Sequence, residues 1–556
     1  MAAMTLPSLH IAIVSDDATV GAIGAIRARM LERVAEAAAA GAHLVVFPEL
    51  ATVGYPPKDL LDLPGFVAAN LATLGALLPA SRDIAILTGH VARNPAPTGK
   101  PLFNAASLLV GGRISATWHK ALLPCYDVFD DPRYFAPGAP APTAELHGWR
   151  LGVTICEDIW TGPDATGRPL YDRDPAAEQL AQGADLLINL SASPWVVDKL
   201  AVRRHIVRDL ARRGSVPVVY ANQVGANDEL LFDGASFAVD ATGRLVAQAP
   251  QFQPEILHVT LAHPSNPQVA PEVSEPPEGS PSVLAALEMG LRDYLRKTRF
   301  RDVVLGLSGG IDSAVVAAIA ARALGPEHVT GLLMPSPHSS DHSVADALAL
   351  AENLGIRHHT LPIGEAMAAY DAALAPVFRG TVSGLAEENI QARIRGNFVM
   401  AWANKYNALA LSTGNKSEVA VGYCTLYGDM AGALSLIADV PKMLVYELAH
   451  LINADGPSIP RSSIDKEPSA ELRPGQLDTD SLPPYPILDD IIAAYVEDHL
   501  DDDDIVARGH DRATVKRVIA LIHRAEYKRR QAAPTLKVTS KAFGVGRRYP
   551  IVHERP

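Results

Sequence analysis

The sequence predicts two α/β domains in series, each built on a largely parallel or mixed sheet with helices on its faces. Three observations point there. Short apolar runs alternate with helical patterns in both halves of the 556 residues, as strand–helix–strand units require. One stretch, residues 263–281 (HPSNPQVAPEVSEPPEGSP), breaks that alternation. Proline fixes φ and removes a backbone donor, so this stretch reads as a linker between domains at 1–262 and 282–556. Apolar residues make up 48% and charged residues 20%, which supplies large cores and argues against global disorder.

Taken in chain order, a helix is expected over 21–40, then buried strands at 43–47 (HLVVF), 84–91, 105–110, 151–156 (LGVTIC), 186–191 and 216–222. Each is a continuous apolar run of the kind found in a sheet covered on both faces. A second helix is expected over 197–213, and the Pro/Gly-rich patch from Pro132 to Pro142 reads as a surface loop. In the second half, strands at 302–308, 328–334, 357–363 and 408–413 alternate with helices near 282–297, 312–323, 343–354, 387–406 and 441–453.

Composition excludes several classes of function. Lys plus Arg number 49 and Asp plus Glu 62, a formal charge of −13, whereas general nucleic-acid binding needs a basic surface. Three cysteines (Cys125, Cys156, Cys424) are too few for a disulfide scaffold or a four-thiolate zinc site. No apolar run reaches the roughly 18 residues of a membrane span, and Met1 to Val14 lacks the basic start of a secretory signal. A soluble cytoplasmic protein with no membrane or nucleic-acid partner is expected.

The sharpest local signal is Gly306-Leu307-Ser308-Gly309-Gly310-Ile311-Asp312-Ser313, between the strand DVVLGLS and an apolar helix. Adjacent glycines let the backbone approach an anion, and amides at the helix start then point at it. Ser308 and Ser313 add hydroxyls. Asp312 would repel a bare phosphate, so its presence implies an intervening Mg²⁺. No lysine follows the glycines. The strand–SGGxDS–helix context resembles the PP-loop of ATP pyrophosphatases, which split ATP between its α- and β-phosphates and adenylate a carboxylate.

In the first half Glu49, Lys120 and Cys156 each end an apolar run: HLVVFPE, SATWHK and LGVTIC. Sheets that run their strands alike gather such ends on one edge, where ligands bind. Cys156 then reads as a nucleophile, Lys120 as the group that lowers its pKa and stabilises an oxyanion, and Glu49 as the proton carrier. The backbone amide of Glu157 is a second oxyanion donor. Cys125 and Cys424 read as small hydrophobes without a charged partner. The order Glu, Lys, Cys, with CEDIW at 156–160, LVVFPEL at 44–50 and HKALLP at 119–124, resembles the nitrilase superfamily of carbon–nitrogen hydrolases.

Taken together, the halves resemble the glutamine-dependent NAD synthetases of bacteria from about residue 40 to 552. Specific text includes ENIQARIRGN (388–397), STGNKSEVAVGYCTLYGDMAGALSLIADVPK (412–442), PSAELRPGQLDTDSLPPYPILD (468–489) and EYKRRQ (526–531). The resemblance implies a nitrilase-like α-β-β-α sandwich followed by a Rossmann-like PP-loop domain. It implies that glutamine, or free ammonia, supplies nitrogen for the ATP- and Mg²⁺-dependent amidation of deamido-NAD, and that the protein is a homo-oligomer. A ligase with another acceptor acid is the nearest alternative. By resemblance, Tyr126, Ser193 and Lys199 hold glutamine; residues 306–313 and Thr413 hold ATP; Asp312 holds the metal; and Asn389, Glu418 and Lys528 contact deamido-NAD. Arg393, Lys442 and Ser469 are further nucleotide candidates. The chain departs from the family text at 18–25 (ATVGAIGA in place of V-G-D-x-x-G-N) and at 532–536 (AAPTL). At Asp131, one methylene shorter, the family text has glutamate.

Overall fold

The first half builds two six-stranded sheets stacked face to face. The computed structural model describes residues 8–162, 168–264, 273, 275–276 and 278–554. It divides the chain into two units, Met1–Glu278 and Gly279–Pro556. Most of the stretch expected as a linker lies outside the described residues, and a helix, Ser280–Thr298, already begins in its last two.

In the first unit one sheet runs in the order β14 (Glu255–Leu261), β1 (Leu9–Ser15), β2 (Leu44–Val46), β3 (Ala85–Arg93), β4 (Leu102–Val110), β5 (Arg113–His119). The other runs β13 (Leu245–Gln248), β12 (Phe237–Val239), β9 (Val218–Asn222), β8 (Leu186–Ser191), β7 (Trp149–Ile155), β6 (Ala144–Leu146). Side chains alternate along a strand. Ile11, Ile13, Leu44 and Val46 of the first sheet therefore pack inward with Val153, Ile155, Ile188 and Leu190 of the second. Ala12, Val14, Val45 and Ile86 turn outward onto the helices Ile23–Ala39 and Pro64–Leu77. Leu187, Val218 and Tyr220 turn outward under Pro175–Ala181 and Lys199–Gly214. Helix, sheet, sheet and helix make the expected sandwich, and covering both faces of each sheet is what makes its central strands apolar throughout.

The second unit has one five-stranded sheet in the order β17 (Arg357–Thr360), β16 (Val329–Leu333), β15 (Val303–Gly306), β18 (Leu409–Ser412), β19 (Leu434–Ser435), with every pairing parallel. The chain steps outward on one side of β15 and then returns to the other. Such a reversal opens a crevice at the carboxyl ends of the two middle strands. Gly306 ends β15 and Thr413 follows β18, so the glycine loop and that threonine meet there. Helices from Tyr485 to Arg529 add a separate apolar cluster around Leu488, Ile491, Val515 and Val518. Among the described residues no helix is long and apolar enough to cross a membrane.

The sequence reading missed β1, the run from β10 (Val224–Asn227) and β11 (Leu230–Asp233) to β14, and the helix Pro64–Leu77. Strands β5 and β14 lie at sheet edges; β5 is largely exposed and β14 only partly buried, so β14 lacks the apolar run that marks its neighbours. The Pro132–Pro142 patch is more than surface: Phe135 is buried, and the Gly138 amide donates to the Lys120 carbonyl at 2.8 Å.

Gly89, on β3, passes directly beneath the segment carrying Glu49. A Cβ there would lie 2.4 Å from the Pro48 oxygen, 2.5 Å from the Leu50 nitrogen and 2.7 Å from the Glu49 Cα. Gly89→Ala is expected to destabilise the protein by about 1–3 kcal/mol. Gly65→Ala, which meets nothing within 4 Å, is expected to be neutral or mildly stabilising. Thermal unfolding of the two variants checks the contrast.

Candidate active sites

Glu49, Lys120 and Cys156 follow β2, β5 and β7, and the sandwich brings them into one buried group. Lys120 Nζ donates to Glu49 Oε1 at 2.8 Å and to Asp131 Oδ2 at 2.7 Å. Asn104 Nδ2 donates to Glu49 Oε1 at 2.6 Å, and the Ala192 amide donates to Oε2 at 2.9 Å, so both carboxylate oxygens are fixed. Burial opposes the charge on Lys120, but Asp131 and Glu49 outweigh it and hold the ammonium protonated. Burial also raises the Asp131 pKa, against the pull of Lys120. The Cys156 thiol is pushed up by burial and by the charge of Glu49, with Lys120 opposing. Lys120 does lower the thiol, but burial and Glu49 outweigh it, so the resting sulfur keeps its proton until a base removes it.

Cys156 has φ +46°, a left-handed conformation that costs a non-glycine residue energy and is kept where the surroundings enforce it. Asp158 supplies part of that enforcement. Its carboxylate accepts from the Ile155 amide at 3.0 Å and from the amides of Ala121 and Leu122 at 3.0 and 2.9 Å. The turn at Cys156 is thereby tied to the chain just after Lys120. Burial lifts the Asp158 pKa to about 7 while those amides pull it down.

The three glutamine candidates fall around this group in two places. Tyr126 Oη donates to Glu157 Oε1 at 2.9 Å, and so does Tyr171 Oη, at 2.9 Å. Lys199 Nζ sits 5.1 Å from the centre of the Trp160 ring, and its charge reaches Glu157. Ser193 lies apart from these, buried after β8, where Arg203 Nε donates to its Oγ at 3.2 Å. Arg203 also donates to the Ser193 and Pro194 carbonyls at 2.8 and 3.0 Å and pairs with Asp233 at 2.6 Å. Sequence reasoning missed Asn104, Tyr171 and Arg203 as well as the side-chain roles of Glu157 and Asp158. The CEDIW text held the only signal for the last two. Cys125 is exposed, not a buried hydrophobe.

The second unit encloses a cavity of about 800 Å³ at the sheet's crevice. Gly306, Leu307, Ser308, Gly310, Ile311, Asp312, Ser313, Thr413, Glu418, Lys442 and Ser469 line it. Gly309 does not, but its φ is +77° and a Cβ there would lie 2.1 Å from the Ser343 oxygen, so only glycine fits. The loop is braced by its serines: the Gly310 amide donates to Ser308 Oγ at 3.2 Å, and Ser313 Oγ donates to the Gly310 carbonyl at 3.1 Å. Asp312 accepts from Lys442 Nζ at 2.5 Å and from Asn415 Nδ2 at 2.9 Å. The Glu418 pKa is raised well above the carboxylate range by burial and then by the charge of Asp312, with Lys442 opposing. Asn389, Arg393 and Lys528 do not line the cavity. They converge on the loop 422–429: Thr425 Oγ1 donates to Asn389 Oδ1 at 2.7 Å, Arg393 Nε to the Leu426 carbonyl at 3.2 Å, and Lys528 Nζ to the Gly422 and Cys424 carbonyls at 2.7 and 2.6 Å. Cys424 lines the cavity, and burial pushes its thiol up to about 12.

Family models match both units: carbon–nitrogen hydrolase over residues 11–265 and NAD synthase over residues 283–532. The glutamine-dependent NAD(+) synthetase of Synechocystis sp. is 48% identical over 548 residues, covering 97% of this chain and 98% of its own. The chain belongs to the glutamine-dependent NAD(+) synthetase family. The member from Thermotoga maritima is 40% identical and covers 92% of this chain and 93% of its own. The structure of the glutamine-dependent NAD+ synthetase from Acinetobacter baumannii in complex with ADP superposes with a TM-score of 0.78 at 36% identity, over 98% of each chain.

The Asp158 clamp makes a stability statement. Asp158→Ala leaves three backbone amides, two of them buried, without their acceptor and is expected to cost about 3 kcal/mol. Asp158→Asn, which keeps one acceptor oxygen, is expected to cost less. Urea unfolding midpoints of the two variants measure the difference.

Proposed function

We propose that this chain makes NAD by ATP-dependent amidation of deamido-NAD, with nitrogen that its first unit strips from glutamine. The observation that carries this reading is the buried ammonium of Lys120 set between Glu49 and Asp131 beside a strained, protonated Cys156. Such a group suits an acyl transfer in which one base moves a proton twice. Glu49 takes the thiol proton as Sγ attacks the glutamine side-chain carbonyl. Lys120 and the Glu157 amide face the developing oxyanion. Glu49 then hands the proton to the departing ammonia, and later draws one from the water that cleaves the thioester. Ser193 and Lys199 suit the α-carboxylate of glutamine, and Glu157, oriented by Tyr126 and Tyr171, suits its α-ammonium.

In the second unit the amides and hydroxyls of 306–313, with Thr413 and Lys442, receive the ATP phosphates. Asp312 and Glu418 fit a magnesium ion. Both are carboxylates at one cavity, and the charge of one raises the pKa of the other. Among the described residues no group of three or more His, Cys, Asp or Glu is placed to hold a metal, so phosphate oxygens and water would complete its shell. Bound there, the ion would neutralise phosphate charge. The nicotinate carboxylate of deamido-NAD displaces pyrophosphate, and ammonia then displaces AMP. Asn389 and Lys528 are assigned to deamido-NAD through the loop 422–429 that they hold.

Cys156→Ala is expected to abolish glutamine-dependent NAD formation and to keep the activity with ammonium chloride. Loss of both in a folded variant overturns the division of labour. Asp131→Asn removes half of the negative charge that holds Lys120, and glutaminase turnover is expected to fall about 100-fold. Asp131→Glu is expected to retain most of it, as steady-state glutamate release reads out.

A further inference from the structure

We propose that Arg203 is the positioning residue that gives the first unit its selectivity for the α-carboxylate of glutamine, by locking Ser193 to the helix that carries Lys199. The inference deepens the proposed function and rests on it. Ser193 follows β8, whereas Lys199 opens the helix Lys199–Gly214. The link between them passes through Asp198, a left-handed residue at φ +64°. Arg203 sits one helical turn beyond Lys199 and shares its face of the helix. From there its buried guanidinium reaches back across the link. Nε donates to Ser193 Oγ at 3.2 Å, and Nη2 donates to the Ser193 and Pro194 carbonyls at 2.8 and 3.0 Å. Nη1 donates to Asp233 Oδ1 at 2.6 Å. Asn222, at the end of β9, closes the ring: its Oδ1 accepts from the Ser193 amide at 2.9 Å, and its Nδ2 donates to Asp233 Oδ1 at 3.2 Å.

Two consequences follow for glutamine. A carboxylate is recognised best by donors already held at the right spacing. Arg203 supplies that spacing, because one rigid fork fixes both the segment of Ser193 and the helix start of Lys199. The Ser193 hydroxyl accepts from Nε–H, so its own proton can go to an acceptor. The Tyr220 oxygen is within reach of it, and a substrate carboxylate is the stronger acceptor. The second consequence runs through the backbone. Ala192 precedes the clamped segment, and its amide donates to Glu49 Oε2 at 2.9 Å. Loosening the clamp therefore slows any reaction of Cys156 that uses Glu49, and it further weakens a substrate that carries an α-carboxylate. Lysine at 203 keeps the charge that Asp233 needs, but a single nitrogen cannot make all of these connections.

The test compares two reactions of Cys156 in the full-length enzyme. Glutamine turnover, read as glutamate release, uses the head group. Inactivation by chloroacetamide, read as loss of that activity, does not. Arg203→Lys is expected to lower kcat/KM for glutamine about 100-fold, with a raised KM, and the chloroacetamide rate about tenfold. The ratio of the two thus drops about tenfold, while NAD formation from ammonium chloride stays within about twofold of the parent. Ser193→Ala is expected to lower the same ratio in the parent and to lower it less than twofold further in Arg203→Lys. An unchanged ratio overturns the proposal, because a merely structural role takes both reactions down together. A full further effect of Ser193→Ala in Arg203→Lys overturns it as well. If Arg203→Lys does not fold, Asp233→Asn, which removes the partner charge and keeps an acceptor oxygen, is read in the same way. If the parent enzyme releases no glutamate, the proposed function falls, and this inference with it.

Discussion

The first site depends on one arrangement: an ammonium with almost no exposure, shared by two carboxylates. Removing Lys120 from water is costly, and a single partner rarely repays such a cost. Two carboxylates at 2.8 and 2.7 Å do so here. Those carboxylates are then short of positive charge, and the rest of the site supplies donors. Asn104 and the Ala192 amide complete Glu49. Ala192 begins the segment that Arg203 clamps through Ser193 and Pro194. One buried charge thus dictates the placement of four chain segments, and it explains why these polar residues sit deep inside an apolar sandwich. Asp131 is one methylene shorter than the glutamate of the family text, yet its carboxylate still reaches Lys120 because residues 131–138 are drawn inward, with Phe135 buried and Gly138 bound to the Lys120 carbonyl.

The second site repeats the logic with a different outcome. Lys442 is also a buried cation among carboxylates, but Asp312 holds it at 2.5 Å while Glu418 is left with less charge compensation. Burial and mutual repulsion push Glu418 toward its neutral form. A cavity lined this way is tense without its ligands. The glycine loop, which carries Asp312 itself, also presents amides at a helix start, which suit an anion. The cavity therefore suits a substrate whose anionic groups lie on those amides and whose cationic or proton-bearing groups face the acids.

Much of this was legible in the sequence because it is written in local patterns. Central strands covered on both faces read as apolar runs, and the residue that ends each run is the one a sheet edge presents. That rule located Glu49, Lys120, Cys156, the loop 306–313 and Thr413. It failed for β14, an edge strand without a continuous apolar run, and at β5 it named Lys120 from the text SATWHK although most of that strand is exposed. Partners supplied from far along the chain were invisible for another reason. Asn104 lies 55 residues from Glu49, and Arg203 acts 30 residues from Asp233. No periodicity records such pairs. The net direction at the thiol was not legible because a sequence shows which charges are near but not how deeply they are buried, and burial is the larger effect at Cys156. Asn389 and Lys528 show the opposite limit: their motif text was clear, but the structure seats them on the loop 422–429 and not on the cavity wall.

Both sites handle the same nitrogen, and their shared excess of carboxylate has a chemical reason. Ammonia is a nucleophile only while it is uncharged, and in neutral water it is mostly ammonium. A site that releases it needs a base able to give the proton back at the moment of departure; in the proposed reaction Glu49, with both oxygens held, is that base. A site that consumes it needs a base able to accept the proton only after the C–N bond has formed. Too strong a base there would bind ammonium and stall. In the proposed reaction Lys120 faces the carbonyl oxygen of glutamine while Glu49 carries the proton between sulfur, nitrogen and water, so the two charges of the first site are set by the chemistry as well as by the packing around them.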